Sequence, residues 1–238
     1  MHYTCSSYTA IGGRENNEDA FTILEHVPNA LFVVADGLGG MDAGEVASGA
    51  VVQSLKEAFL NNDNDFPLVD IIQNANEKLL DLQRKSGKQM MTTVTAVYCH
   101  DNRVVQCAHV GDSRIYVFGE NSILYQSVDH SVSQMAVFNG EITPEEIRNH
   151  EDRNKLTRVL GNKEVVKIDV ESIDPTEVKA ILLCSDGFWE YIYEEEMILW
   201  LKKSADADEW LSSMREIVWS RVPENNDNNT AVAVIFER

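Results

Sequence analysis

The stretch LFVVADGLGGMDAGE, residues 31–45, is uninterrupted apolar sequence from Leu31 to Ala35 and then breaks on Asp36-Gly37. Such a run reads as a buried strand. The arrangement recurs at AILLCSDGFWE, residues 180–190, where Ala180 to Cys184 is apolar and Asp186-Gly187 follows. Asp-Gly is a common way to leave a strand, so each aspartate taken singly is ordinary turn chemistry. A carboxylate at the buried end of a strand is nevertheless costly unless it is paired or binds metal. More acids sit at strand edges: Glu18 and Asp19 in GGRENNEDAF, Asp112 in AHVGDSRIYVF, and Asp227 in ENNDNNTAVAVIFE. Few basic residues stand beside them. If these edges meet, the cluster repels itself unless a divalent cation joins it. Oxygen donors without accompanying His or Cys favour magnesium or manganese over zinc.

Working outward, strand-like runs lie near 3–11, 20–25, 30–35, 93–100, 103–109, 114–119, 122–126, 165–172, 178–184 and 230–236. Helical periodicity fills the gaps. One helix places Ala43, Val46, Ala47, Ala50, Val51, Leu55 and Phe59 on one face, with Asp42 as N-cap and Glu45 three residues on. A second carries Ile71, Ile72, Ala75, Leu79 and Leu82, and two more fit 194–203 and 206–220, with Trp200, Trp210 and Trp219 as core residues. Hairpins such as VYCHDNRVVQC imply antiparallel pairing. Helices arriving in pairs between blocks of hairpin-linked strands predict an α+β layered domain. No linker or internal repeat divides the 238 residues, so a single domain over 1–238 is expected.

The net charge of -19 argues against nucleic acid and anionic membranes as partners. No apolar run approaches the ~20 residues of a membrane span, and the first residues lack a leader pattern, so a cytoplasmic protein is expected. Cys5, Cys99, Cys107 and Cys184 show no zinc-type spacing and read as small buried hydrophobes. None has an arginine in the C-x5-R position of a cysteine-dependent phosphatase, and Asp36 lacks the second carboxylate, two residues on, of an aspartyl-phosphate enzyme. There is no G-x-x-x-x-G-K-[ST] nucleotide loop. His109 and His130 lack a partner His at helical ligand spacing and read as core or loop-bonding residues.

The ordered blocks GGRENNEDAF, VVADGLGG, MTTVTAVY, HVGDSRIYVF, SVDHS, LTRVLG, LLCSDGFWE and NNDNNTAVAV resemble the metal-dependent protein phosphatase family, also called protein phosphatase 2C, in its bacterial form. The resemblance spans Arg14 to Phe236. It implies a four-layer α-β-β-α sandwich, two antiparallel sheets flanked by helix pairs with a metal centre between the sheets. It implies a serine/threonine protein phosphatase that hydrolyses phosphoserine and phosphothreonine by direct attack of a metal-bridging hydroxide. Position by position, Asp36 matches the aspartate bridging two cations and Gly37 a backbone ligand. Asp186 and Asp227 match further ligands of the first cation, while Glu18 and Asp19 match acids that hold the second or its waters. Asp112 matches a ligand of a third, weaker cation, and Arg14 the arginine that grips the substrate phosphate. Without the resemblance, Arg14 reads first as a surface ion pair with Glu15 or Glu18. The cofactors implied are Mn2+ or Mg2+, two per site with a third. The implied partners are phosphorylated proteins, including a serine/threonine kinase or its targets, and a monomer is expected.

Two departures stand out. Leu38 occupies the position where some relatives carry a histidine proposed as the general acid, so none is assigned. Met91 replaces a glycine common before the paired threonines Thr92 and Thr93. Residues 131–155 fall where relatives carry a variable flap, and Thr143-Pro144-Glu145-Glu146 reads as a helix start within it. Two other functions fit the same residues: an inert phosphoprotein-binding module of this fold, and a phosphatase for a small metabolite. An inert relative should have lost one of Asp36, Asp186 or Asp227, and all three are present.

Overall fold

The computed structural model describes residues 2–38, 43–61, 66–100 and 104–237. Eleven described strands form two antiparallel sheets. The first has the order β1 (His2–Ala10), β11 (Asn229–Glu237), β10 (Ala180–Cys184), β7 (Arg114–Phe118), β8 (Ile123–Gln126). The second has the order β2 (Asp19–His26), β3 (Asn29–Leu38), β5 (Val94–His100), β6 (Val104–Val110), β9 (Asp169–Ile173), with the short β4 (Met91–Thr92) also on β3.

The uninterrupted apolar runs follow from burial on both faces. Along β3, Leu31, Val33 and Ala35 face α1 (Gly44–Leu60) and α2 (Leu68–Ser86), whereas Phe32 and Val34 face the other sheet. Along β10, Leu182 and Cys184 face α5 (Glu194–Lys203) and α6 (Ala207–Arg221), and Ile181 and Leu183 face inward. Three apolar layers therefore hold four structural layers together, α-β-β-α. Each fully buried Val, Leu, Ile or Phe contributes about 1.5–3 kcal/mol of apolar transfer.

Four details differ from the sequence expectations. The strand expected over 165–172 begins only at Asp169: before it, the Val166 N–H donates to Gln73 of α2 and the Lys167 carbonyl accepts from Arg158, so these groups bond side chains instead of a strand ladder. Val46, placed on the core face of α1, is exposed. Trp219 is exposed as well, with the Arg215 guanidinium 4.7 Å from its ring, while Trp210 is buried as expected. Cys5 is exposed, and the other three cysteines are buried. The expected N-cap Asp42 lies outside the described residues; Ala43 stands at the cap position, without a side-chain bond. Within 131–155, α3 (Val132–Phe138) precedes a 3-10 turn, Pro144–Asn149, capped by Thr143, whose N–H donates to Glu146 at 2.7 Å.

Candidate metal centre

Strand register brings the acids together. Asp19 of β2 lies directly opposite Asp36 of β3. Side chains alternate along strands, so Asp19 continues the inward face of Phe21 and Ile23, and Asp36 that of Phe32 and Val34. From the facing sheet, Ser185 follows the inward Ile181 and Leu183, and its hydroxyl donates to Asp19 Oδ2 at 2.8 Å. Asp186 opens the single-turn helix α4 (Asp186–Trp189), and Asp227 precedes β11. At this end of the sandwich Arg14, Glu18, Asp36, Asp112, Asp186 and Asp227 line one cavity of about 610 Å³, with Gly37 in its wall and Asp19 behind it.

The glycine after each aspartate has a packing reason rather than a turn reason. Neither Gly37 nor Gly187 has a positive φ. A Cβ on Gly37 would overlap the Gly44 carbonyl and stand 2.7 Å from the Glu18 carbonyl. On Gly187 it would overlap the Asn228 carbonyl. One glycine therefore lets the Glu18 segment lie against Asp36, and the other lets the Asp227-Asn228 segment lie against Asp186. This close approach converts four separate strand ends into one site.

Residues that sequence reading left without a role hold the frame. The Asp36 backbone is clamped on both sides: its N–H donates to Thr93 Oγ1 at 2.9 Å, and its carbonyl accepts from Thr92 Oγ1 and Thr93 N–H, each at 2.8 Å. The buried Asn228 side chain ties the Ile11 and Asn16 carbonyls and accepts from Glu18 N–H at 2.8 Å. The paired threonines were visible as a motif. Asn228 left no signal beyond lying next to Asp227.

Electrostatically the cluster is unfinished. Burial pushes Asp36 and Asp186 well above the ordinary carboxylate range, and the neighbouring aspartates push the same way. Asp19 is raised to about 6, chiefly by burial, and Asp112 to about 7 by burial and the Asp129 charge. Glu190, one turn beyond Asp186, adds its charge and is itself raised, chiefly by burial. Buried Oδ1 atoms of Asp19 and Asp186 have no hydrogen-bond partner. Hard-oxygen donors with orphaned atoms and mutual repulsion are what a divalent oxygen-seeking cation satisfies, so the residues fit magnesium or manganese.

Arg14 pairs with neither Glu15 nor Glu18. Its Nη2 lies 2.6 Å from Asp227 Oδ2, with both side chains substantially exposed at the cavity mouth. His109 and His130 bond loop backbone as expected, at Val128 O and Gly111 N. Coming from separate elements, they also stack at 4.7 Å and gather Asp169, all three offering ligand atoms within 4.8 Å. The Arg158 Nη1 lies 2.7 Å from both His130 Nε2 and Asp169 Oδ1, so this group is already bridged by a cationic side chain. Among the described residues lining the acidic cavity there is no Ser, Thr, Cys, His or Lys. Cys99, Cys107 and Cys184 are buried with raised thiols, Cys99 to about 12.

Comparison with known proteins agrees with this fold. The family model described as protein phosphatase 2C matches residues 8–231. A serine/threonine phosphatase stp of Listeria welshimeri is 33% identical, over 94% of this chain and 91% of that protein. The crystal structure of the serine/threonine phosphatase Stp1 from Staphylococcus aureus superposes with a TM-score of 0.91 at 29% identity, covering 100% of this chain and 96% of that one. The catalytic domain of the serine threonine protein phosphatase PstP, solved in complex with 2 manganese ions, superposes with a TM-score of 0.81 at 26% identity, covering 98% and 97%.

Proposed function

Because the chain belongs to the protein phosphatase 2C family, we propose that it is a metal-dependent serine/threonine protein phosphatase whose centre is built from Asp36, Gly37, Asp186 and Asp227, with Glu18 and Asp19 serving a second cation and Asp112 a third. The observation that carries this reading is the convergence of five acidic strand ends on one cavity, with orphaned carboxylate oxygens and raised pKa values. When bound, Mn2+ or Mg2+ supplies an activated water and neutralises the phosphate dianion.

The chain's own residues do the rest. Asp36, fixed by the two threonines, presents its carboxylate at the centre of the cluster. Glu18 is held by Asn228, so both walls of the cavity keep a constant spacing. Arg14 pairs with Asp227 at the cavity mouth, where its guanidinium fork is placed to turn onto phosphate oxygens and leave Asp227 to the cation. Among the described residues, the cavity lining offers no hydroxyl, thiol, imidazole or amine nucleophile, in keeping with water as the attacking group. Leu38 lines the cavity and provides no proton to the leaving serine or threonine oxygen.

The substrates of this reading are phosphorylated proteins, including a serine/threonine kinase or its targets, met by a monomer in the cytoplasm. No described helix is long and apolar enough to cross a membrane. The test is phosphate release from a phosphothreonine peptide with Mn2+, Mg2+ or chelator, for the wild type and Asp186→Ala. Metal-dependent release that falls by several orders of magnitude in the variant supports the reading. Folded wild-type protein that releases nothing with any metal would point to the binding module instead.

A further inference from the structure

Two candidate ligands, Asp112 and Asp186, reach the cavity from different strand ends of one sheet, and one side chain joins them. Trp189 closes the single-turn helix that Asp186 opens. Its indole Nε1–H crosses to the facing turn and donates to the Asp112 carbonyl at 2.9 Å, in a fully buried contact. The indole is itself held rigidly. The Arg114 guanidinium lies 3.5 Å from the ring centroid. That guanidinium is fixed by a two-point bond to Asp129, at 2.8 and 2.7 Å, and by Tyr116 Oη at 3.1 Å. On the backbone side, Arg148 Nε donates to the Trp189 carbonyl at 3.2 Å. Stacking of a guanidinium on an indole is strongest where water is excluded, and Arg114 and Trp189 are both buried. At its flanks the Asp112 turn is tied at Gly111, whose N–H donates to His130 Nδ1 and whose carbonyl accepts from His130 N–H, and at the Ser113 hydroxyl by Thr93.

We propose that Trp189 is a positioning residue: by bonding the Asp112 carbonyl from the helix that carries Asp186, it sets the spacing of these two carboxylates and hence the affinity of the cation that Asp112 holds. The inference rests on the metal reading above. An outer partner that orients a ligand changes metal affinity about 10–100-fold when removed. Phenylalanine at this position keeps an aromatic ring beneath Arg114 but removes the N–H donor together with part of the indole's bulk, a loss of bulk that Trp210→Phe reproduces.

The experiment measures Mn2+ binding to the whole chain by calorimetry for the wild type, Trp189→Phe and Trp210→Phe. Trp210 is a matched control: it is equally buried, and its indole donates to a backbone carbonyl, Met197 O at 3.0 Å, in the helical layer. Both variants should lose comparable thermal stability. Only Trp189→Phe should weaken the weakest class of bound Mn2+, by about 10-fold or more, leaving tighter sites unchanged. Wild-type protein gives an independent readout, since a Mg2+ titration should move the Trp189 indole N–H resonance with saturation of the weakest site and leave that of Trp210 in place. Isotherms that are unchanged, or that shift alike in both variants, overturn the inference, as does a Trp189 resonance that ignores Mg2+. Wild type that binds no Mn2+ overturns the metal reading, and this inference with it.

Discussion

Replacing Asp112 by asparagine should stabilise the metal-free protein while weakening its response to metal. Asp112 is 5% exposed, and its carboxyl is raised from 3.8 to about 7 by burial and by Asp129, against the opposing charge of Arg114. Because the folded state holds this proton to higher pH than the unfolded chain, its contribution is fully present below 3.8 and is lost as pH rises to about 7. Each pH unit corresponds to about 1.4 kcal/mol, so at pH 8 the ionised Asp112 costs the metal-free fold up to about 4 kcal/mol. Asparagine has the same shape and no charge. For a chain of this size each kcal/mol moves Tm by about 2–4 °C, which places the upper limit of the gain on the order of 10 °C. The assay is thermal unfolding of both proteins in chelator at pH 5 and pH 8, and again at pH 8 with saturating Mn2+. At pH 5, little more than one unit above 3.8, the variant should lead by only about 1–2 kcal/mol; at pH 8 in chelator its lead should be larger, and the Mn2+-induced rise in Tm should be larger for the wild type. A variant no more stable than the wild type at pH 8 in chelator would refute the claim that uncompensated repulsion is stored at this end of the sandwich.

Other consequences follow from the same geometry. Gly187→Ala should destabilise by about 1–3 kcal/mol through overpacking against the Asn228 carbonyl and should depress phosphatase activity; Gly49→Ala, in open space on α1, should instead stabilise by about 0.5–1 kcal/mol. Thermal unfolding and phosphate release on the pair separate close approach from helix propensity. Arg14→Lys should raise KM for a phosphothreonine peptide about 10-fold, through loss of the two-point phosphate contact, with Tm nearly unchanged because its pair with Asp227 is exposed; an unaltered KM would remove Arg14 from the phosphate site. Exchanging residues 131–155 for the corresponding segment of a relative should reorder protein substrates while leaving small phosphoesters unaffected, and an unchanged ranking would show the segment to be a plain surface excursion.

Sequence carried much of this because strands buried on both faces leave a plain trace. The apolar runs ending at Ala35 and Cys184 mark β3 and β10, and the acids that follow them mark the end at which the sheets meet. Period-2 alternation could have indicated that Asp36 faces the same way as Phe32 and Val34. It could not show Asp19 opposite Asp36, since that depends on the β2–β3 register. The Asp-Gly pairs look like turns in sequence, and only the contacts of Gly37 with Gly44 and Gly187 with Asn228 show why glycine is needed. Val165 to Ile168 has strand-like composition, but the Val166 N–H goes to Gln73 of α2 and the Lys167 carbonyl to Arg158, a long-range competition that local pattern cannot reveal. Ser185 and Asn228 are invisible for a similar reason: their value lies in partners 166 and 210 residues away.

The most direct measurement is anomalous diffraction from crystals soaked in Mn2+. The account predicts strong manganese peaks within the cavity, coordinated by Asp36, Asp186 and Asp227, with Arg14 released from Asp227. Well-ordered crystals without manganese there, or with manganese only between His109, His130 and Asp169, would contradict the assignment of the metal centre to the ends of the two apolar strands.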